Sequence, residues 1–483
     1  MVVNSINFLL FFLIVFIVYY LPLNGKTKLQ NLWLLVGSYC FYGFAEWKML
    51  PLLAITTLFF YGMGILIGKY REINTKKASF LTTLGTITGI GILLYFKYLN
   101  FFIESFCHFF NTIGFSVHWP VFNILMPLGI SFFTFKLISY IIEIHRGHLE
   151  PCRDLIEFGT YISFFPTILS GPIDRPQPFI SQLQTGRTFD YNQVSTGLKR
   201  ILWGMFMKMC VADRLAIYLD AIFNNIPHHN GTTLAVGTLL YPIQIYADFC
   251  GYSEMAIGVG CLLGLKVTEN FKRPFFSQNI AEYWRKWHIS LTGWLTDYVF
   301  MPLNIRFRNM EKWGSIFAII ITFILIGLWH GAAWTFVLFG LYHGLLYIPL
   351  MLSGSFFKKK KLKKNKYGLP TFRYGIKMLE TFLLVAIGLI LFRVTDIRDA
   401  VVIAEKIFSH WGALYIHQTS LFFSVAGIII LFLKDFKDEY WPNKHYFFES
   451  KYIAIRYLSF LFIVCFIILF GVLGGGQFIY FQF

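Results

Sequence analysis

The sequence predicts an all-α polytopic integral membrane protein of about 11–12 transmembrane helices, with additional re-entrant and interfacial helices. Three observations carry that reading. The 483 residues are 56% hydrophobic and only 14% charged, outside the range of soluble globular domains. Apolar stretches long enough to cross a bilayer recur along the whole chain. The basic residues between them collect in alternate loops, as they do when every second loop lies on the same membrane face.

The apolar stretches fall near residues 6–23, 31–46, 50–68, 80–103, 120–143, 201–224, 234–258, 315–329, 333–353, 374–394, 420–434 and 452–473. Ile6 to Tyr20 opens the series with no Lys or Arg before it and no small-x-small cleavage site after it, so it is expected to be a retained span and not a signal peptide. Lys26 and Lys28, then Lys69, Arg71, Lys76 and Lys77, then Arg146 and Arg153, fall on one face if each stretch spans. Lys272, Arg273, Arg285, Lys286 and the lysine run of 358–366 join them. The loops Cys107 to Trp119 and Asn224 to Thr233 are nearly free of charge. The positive-inside rule then places the lysine-rich loop 354–373 in the cytoplasm and both termini outside.

Two regions do not read as simple spans. Phe158 to Phe179 is apolar but contains Pro166, Gly171-Pro172, Pro176 and Pro178 beside Asp174 and Arg175. Prolines this dense break helices, and backbone groups freed at membrane depth must be buried in protein or face a cavity, so a re-entrant loop is expected. Asp174 with Arg175 is read as a pair bracing that loop. Asn279 to Pro302 is rich in aromatic and basic residues and reads as an interfacial helix on the cytoplasmic side. On such a helix Arg285 and His288, three residues apart, would share a face.

The chain is read as one membrane domain, 1–483, with a motif core at about 120–345 and C-terminal helices over 374–483. Its 42 Lys and Arg against 25 Asp and Glu give a net charge of +17. That excess orients a membrane protein and attracts anionic lipid; nucleic acid is not an expected partner. The seven cysteines are scattered without a Cys-x-x-Cys or zinc spacing, so neither disulfides nor a metal site is expected.

One residue stands out chemically. His330, in Gly327-Leu328-Trp329-His330-Gly331-Ala332, places an imidazole inside an otherwise apolar region. An ionisable side chain at membrane depth costs roughly 2.5–3.5 kcal/mol to insert, which makes its retention a mark of function. Imidazole is also the side chain suited to proton transfer near neutral pH.

Several blocks then carry a resemblance. Gln244-x-Tyr246-x-Asp248-Phe249-x-Gly251-Tyr252-Ser253, Glu269-Asn270-Phe271, Trp284-Arg285-x-Trp287-His288-Ile289-Ser290-Leu291 and Leu328-Trp329-His330-Gly331 occur in this order. With them come Tyr95-Phe96-Lys97-Tyr98, Met126 to Phe132 and the terminal Phe478 to Phe483. Together they resemble the membrane-bound O-acyltransferases, most closely the bacterial branch that O-acetylates alginate or peptidoglycan. Ser170-Gly171-Pro172-Ile173-Asp174-Arg175 is more similar to the branch that D-alanylates teichoic acid.

The resemblance implies helices around a central funnel or tunnel, with His330 as the active residue and His288, toward the cytoplasmic mouth, as a second catalytic candidate that would orient the donor or assist proton transfer. It implies an acyl thioester donor, acetyl-CoA for acetyl transfer, with no bound cofactor. The acceptor would be an envelope polysaccharide outside the membrane, reached directly or through a periplasmic transferase. His330 would act as general base or as transient acyl acceptor. Trp329, Arg285, Lys286, Asp248, Tyr246, Gln244, Asn270 and Ser253 are the candidates for substrate and donor contact. Asp248 equally fits a structural hydrogen-bond network, and His343 on its apolar helix is read as structural. Two alternatives stay open: D-alanyl transfer from a carrier protein to teichoic acid, and a transporter with no covalent step. No internal repeat of the kind many transporters carry is visible in the sequence.

Overall fold

A computed structural model describes residues 5–354, 368–474 and Phe478. The lysine run at 358–366 and the terminal residues 479–483 lie outside the described residues. Every regular element among those described is helical. The chain folds into two compact units. The first comprises Met1–Leu198 with Ala256–Thr268, the second Lys199–Met255 with Glu269–Phe483.

The first unit contains α1 (Ile6–Tyr20), α2 (Thr27–Glu46), α3 (Leu50–Ile73), α4 (Thr75–Leu93), α5 (Leu99–Thr112), α6 (Ile130–His145), α7 (Leu155–Ser163) and α8 (Pro176–Leu183). The proline-rich segment behaves as its sequence demands. Asp154 caps α7 by accepting from the Ile156 and Glu157 amides at 2.7 and 3.3 Å. The chain then leaves helix at Phe164, turns through 164–171, and re-enters helix at Pro176, where the missing amide of a first-turn proline costs nothing. This stretch is almost wholly buried, and its freed groups find partners. The Phe165 amide donates to Ser38 Oγ at 3.1 Å, and Lys136 Nζ donates to the Tyr161 carbonyl and Thr167 Oγ1 at 3.3 and 3.0 Å. Asp174 is held by the Thr268 amide and hydroxyl at 2.9 and 2.8 Å. Thr268, ninety-four residues away, thus braces Asp174.

The second unit holds the end of α9 (Tyr191–Phe206), α10 (Asp213–Phe223), most of α11 (Gly231–Leu262), the short helices α12 (Ile280–Lys286), α13 (Ile289–Leu295) and α14 (Met301–Arg306), then α15 (Glu311–His330) and α16 (Trp334–Leu345). It continues with α17 (Ile348–Leu352), α18 (Phe372–Arg393), α19 (Ile397–Ser409), α20 (Gln418–Tyr440) and α21 (Ile453–Phe470).

Seven helical segments among the described residues are long and apolar enough to cross a membrane. The longest, Thr27–Ile73, joins two of the expected spans through a single tight turn at Trp47–Met49. The difference from 11–12 has local causes. α1 has 15 residues and α6 has 16, short of the roughly 20 that a bilayer asks for. α6 starts only at Ile130 because Gly129 takes a left-handed conformation just after Pro127. The run 201–224 is broken by a π-helical turn at Met207–Ala212 carrying Lys208. α11 is long but mixes Gln244, Asp248 and Glu254 into its apolar residues.

Candidate active site

His330 is the last residue of α15, and a three-residue connection leads into α16. The two helices pack as a tight hairpin. A Cβ added at Gly327 would collide with the Phe336 carbonyl oxygen, and one at Gly340 with the Phe323 carbonyl oxygen. Only hydrogen at these positions lets the backbones approach so closely. The approach fixes where the end of α15 lies against α16.

There His330, 3% exposed, lines a small cavity. The other walls come from Ile245 of α11, Tyr283 and Trp284 of α12, Trp287, Phe339 and His343 of α16, and Val385, Leu389 and Phe392 of α18. The void has room for about one water molecule. The His330 ring meets Phe392 edge-on at 5.1 Å and Trp329 at 5.0 Å between centroids. None of the ten lining side chains is acidic.

The aromatic-basic segment departs from the interfacial helix expected of it. It forms three short helices, and Trp284, Trp287 and His288 are buried. Arg285 and His288 do not share a helical face, because α12 stops at Lys286 and His288 adopts the left-handed conformation, φ 45° and ψ 52°. For a residue with a Cβ that conformation costs about 1–2 kcal/mol. Neighbouring contacts hold it in place. The Lys272 amide donates to the Lys286 carbonyl at 2.9 Å, and the Ile289 amide to the Asn270 carbonyl at 2.9 Å. The turn is thus clamped by residues 270–272, a pairing that spacing along the chain does not announce.

The same clamp settles the state of His288. Asn270 Oδ1 accepts from the Ser290 amide at 3.3 Å and Ser290 Oγ at 2.9 Å, while Asn270 Nδ2 donates to Ser253 Oγ at 3.2 Å. An amide N–H can only donate, so the Asn270 oxygen must face Ser290. His288 Nδ1, 3.0 Å from that same oxygen, must then carry the proton, which leaves Nε2 as the basic nitrogen. Burial pushes this imidazole down from 6.5 to about 3. The His288 ring packs edge-on against Phe249 at 4.6 Å and against Trp329 at 5.4 Å. Trp329 therefore stands between the two imidazoles, touching both.

The remaining candidates divide. Asn270 and Ser253 belong to the His288 network. Lys286 is engaged by Glu282 at 3.1 Å and Glu439 at 3.0 Å, and Glu439 also takes Arg273 at 2.8 Å. Arg285 and Lys272 are exposed. Asp248 pairs with buried Lys208 at 2.7 Å, which also holds Asp213 at 2.9 Å, so Asp248 sits in a structural network. The Tyr246 hydroxyl donates to Asp435 Oδ2 at 2.7 Å. Gln244 is nearly buried, and its Oε1 has no hydrogen-bond partner among the described residues.

Sequence reasoning missed His343 as a companion of His330. Its ring lies 4.7 Å from Phe339, one helical turn earlier, and both face the cavity. The four-residue spacing of Phe339 and His343 was the available signal.

Chemically the site offers imidazoles in a small, aromatic enclosure. That suits an acyl transfer needing proton abstraction and exclusion of water.

Comparison with known proteins agrees with this reading. Residues 39–378 match the membrane-bound O-acyltransferase family. The chain is 35% identical over 443 residues to a Pseudomonas putida protein named probable alginate O-acetylase, covering 90% of this chain and 86% of that relative. It is 30% identical to the peptidoglycan O-acetyltransferase of Helicobacter pylori, with 69% and 67% covered. It is 35% identical to the teichoic acid D-alanyltransferase of Bacillus subtilis, with 57% and 70% covered. With that match, and with seven helical segments of spanning length among the described residues, the chain belongs to the membrane-bound O-acyltransferase family and is a multi-pass membrane acyltransferase.

Proposed function

We propose that the protein moves an acetyl group from a cytoplasmic thioester, acetyl-CoA, to hydroxyls of an envelope polysaccharide of the peptidoglycan or alginate kind, directly or through a periplasmic partner. It does so in a bacterial inner membrane with both termini outside. His330 works at the reacting carbonyl. As a base, its imidazole takes the proton of the attacking hydroxyl while the alcohol oxygen bonds to the thioester carbon. The C–S bond then breaks and the departing thiolate receives the proton, giving ester and free thiol. As an acyl acceptor, the same imidazole bonds to the thioester carbon, the C–S bond breaks and the departing thiolate takes the ring proton; the alcohol oxygen then bonds to the acyl carbon, the C–N bond breaks and the alcohol's proton returns to the imidazole. The void beside His330 takes a water and not a thioester. Entry of substrate therefore requires the aromatic wall to swing aside.

The observation that carries acetyl over D-alanyl is the chemistry of that wall. A D-alanyl group brings an ammonium, and an ammonium in a low-dielectric pocket needs a carboxylate or several acceptors around it. The ten residues around the void provide aromatic and aliphatic surface and no acid. A methyl group suits such a lining. D-alanyl transfer remains the competing reading, supported by the relative named teichoic acid D-alanyltransferase.

The test is His330→Ala in the native host, with mass spectrometry of the released envelope polymers. Ester-linked acetyl is expected in the wild type and absent in the variant, with membrane insertion unchanged. Envelope acetylation that survives the substitution would refute the assignment of His330. Ester-linked D-alanine in place of acetyl would move the protein to the competing reading.

A further inference from the structure

We propose that the Nε2–H of His343 donates a hydrogen bond to the carbonyl oxygen of the transferred acyl group, making His343 a second catalytic imidazole beside His330. Three observations converge on it. First, His343 is fully buried and lines the same cavity as His330. Once the aromatic wall has swung aside to admit an acyl group, a carbonyl held against His330 would lie in the space that His343 also borders.

Second, the tautomer is set. Trp284 Nε1 lies 3.3 Å from His343 Nδ1, in edge-on ring contact at 5.2 Å. An indole nitrogen only donates, so His343 Nδ1 must accept, and the ring proton is on Nε2. Trp284 thus positions His343 much as Asn270 positions His288, with the opposite outcome. His288 presents a basic Nε2, whereas His343 presents an N–H.

Third, that N–H has no hydrogen-bond partner among the described residues, although it is buried. An unmet buried donor is costly to keep, so it marks a place where an acceptor is expected to arrive. Glycine lets the ring take this position: a Cβ at Gly388 of α18 would sit 2.8 Å from Nε2, so only hydrogen there leaves the nitrogen its place against α18.

The role follows from the electron count of the reaction. When the nucleophile adds to the thioester carbon, the C=O π pair moves onto oxygen. When the tetrahedral centre collapses, that pair returns and the thiolate leaves. A donor fixed in advance at the oxygen stabilises the intervening oxyanion at no cost in reorganisation, and removing one such donor costs about a hundredfold or more in kcat.

The proposal rests on the reading of the chain as an acetyl-CoA-dependent transferase acting through His330, and the experiment separates the two. Purified full-length wild type, His330→Ala, His343→Leu, His343→Gln and Trp284→Phe proteins are assayed for thiol release from acetyl-CoA in the presence of acetyl-free glycan oligomers that supply the acceptor hydroxyl. Bound acetyl-CoA carrying a 13C-labelled carbonyl is examined by infrared difference spectroscopy in the His330→Ala background. His343→Leu is expected to lower kcat about a hundredfold with little change in KM. His343→Gln, which keeps an N–H at similar reach, should recover about tenfold of that loss. Trp284→Phe, which frees the tautomer, should fall between wild type and His343→Leu. The carbonyl band should shift to lower frequency on binding and lose that shift when His343→Leu is added.

Wild-type kcat in His343→Leu, a His343→Gln no better than Leu, or an unmoved carbonyl band overturns the proposal while leaving His330 in place. No thiol release from the wild type overturns the underlying reading instead. Should His343→Leu fail to give folded protein, His343→Gln and Trp284→Phe decide: KM effects with unchanged kcat in both count against His343 as a donor.

Discussion

Asn270 gives its side-chain oxygen to His288 Nδ1, the Ser290 amide and Ser290 Oγ, so one buried amide fixes both a ring tautomer and a left-handed turn. Asn270→Ala removes all of these contacts together and should cost about 1–3 kcal/mol in stability from the buried donors left behind. Thermal unfolding in detergent measures it; an unchanged midpoint would mean that the turn holds itself. His288 lies between α12 and α13, outside the seven apolar spans, and burial holds its imidazole near 3 against an ordinary 6.5. Within that window the unfolded chain binds a proton that the folded chain refuses, so stability must rise with pH. Its contribution is complete above about 6.5 and fades as pH falls toward 3, by at most about 1.4 kcal/mol per pH unit. His288→Gln should flatten that acid slope relative to wild type, and equal slopes would contradict a buried neutral His288. At this scale His330 was legible, since a lone ionisable residue in an apolar run announces itself. The hydrogen-bonded state of His288 was not, because Asn270 lies eighteen residues upstream and no periodicity links the two. His343 was visible as a residue but not as a neighbour of His330.

α9, α10 and α11 are tied by a single ammonium. Lys208, in the π-helical turn after α9, reaches Asp213 at the start of α10 and Asp248 in α11, and all three are buried. Removing one partner from such a cluster strands the others, at about 3–5 kcal/mol, whereas replacing the whole cluster by neutral groups need not cost that much. Lys208→Met is accordingly expected to lower the unfolding temperature and membrane yield sharply, and adding Asp213→Asn with Asp248→Asn should restore part of both. A triple variant less stable than Lys208→Met would show that the carboxylates hold the helices through other contacts. The network explains what the sequence conceals at this scale. Hydropathy sees 201–224 as one run because Lys208 and Asp213 are few among many apolar residues, yet their pairing needs the π turn that interrupts the run. The α12–α14 segment misleads in another way. Tryptophans beside cations look like a headgroup belt, while here Trp284 and Trp287 are packed inside and Lys286 and Arg273 are neutralised by Glu439 of α20. Long apolar helices such as α15, α18 and α20 were readable because length and hydropathy are local properties.

For the whole molecule, orientation is the property on which the proposed direction of transfer depends, since under that proposal a thioester from the cytoplasm and a polysaccharide outside reach the same imidazole. The distribution of charge argues for one orientation. Lys76 and Lys77 stand exposed at the start of α4, whereas the loop after α5, through Ser116, is exposed and carries no Lys, Arg, Asp or Glu from Cys107 to Trp119. Translocating Lys and Arg is disfavoured, so the first loop should stay in the cytoplasm and the second should cross. A direct check places cysteine at Lys76 or at Ser116 in a chain whose Cys40, Cys107 and Cys465 are serine, the other cysteines being buried or partly buried. A membrane-impermeant maleimide added to intact spheroplasts should label position 116 and spare position 76 until the membrane is opened. The opposite pattern would invert the protein, place its lysine-rich loop outside, and leave His330 with no thioester supply of the kind proposed. Labelling of both positions from outside would mean that Thr75–Thr112, helical throughout and apolar enough to span, lies along the membrane without crossing it.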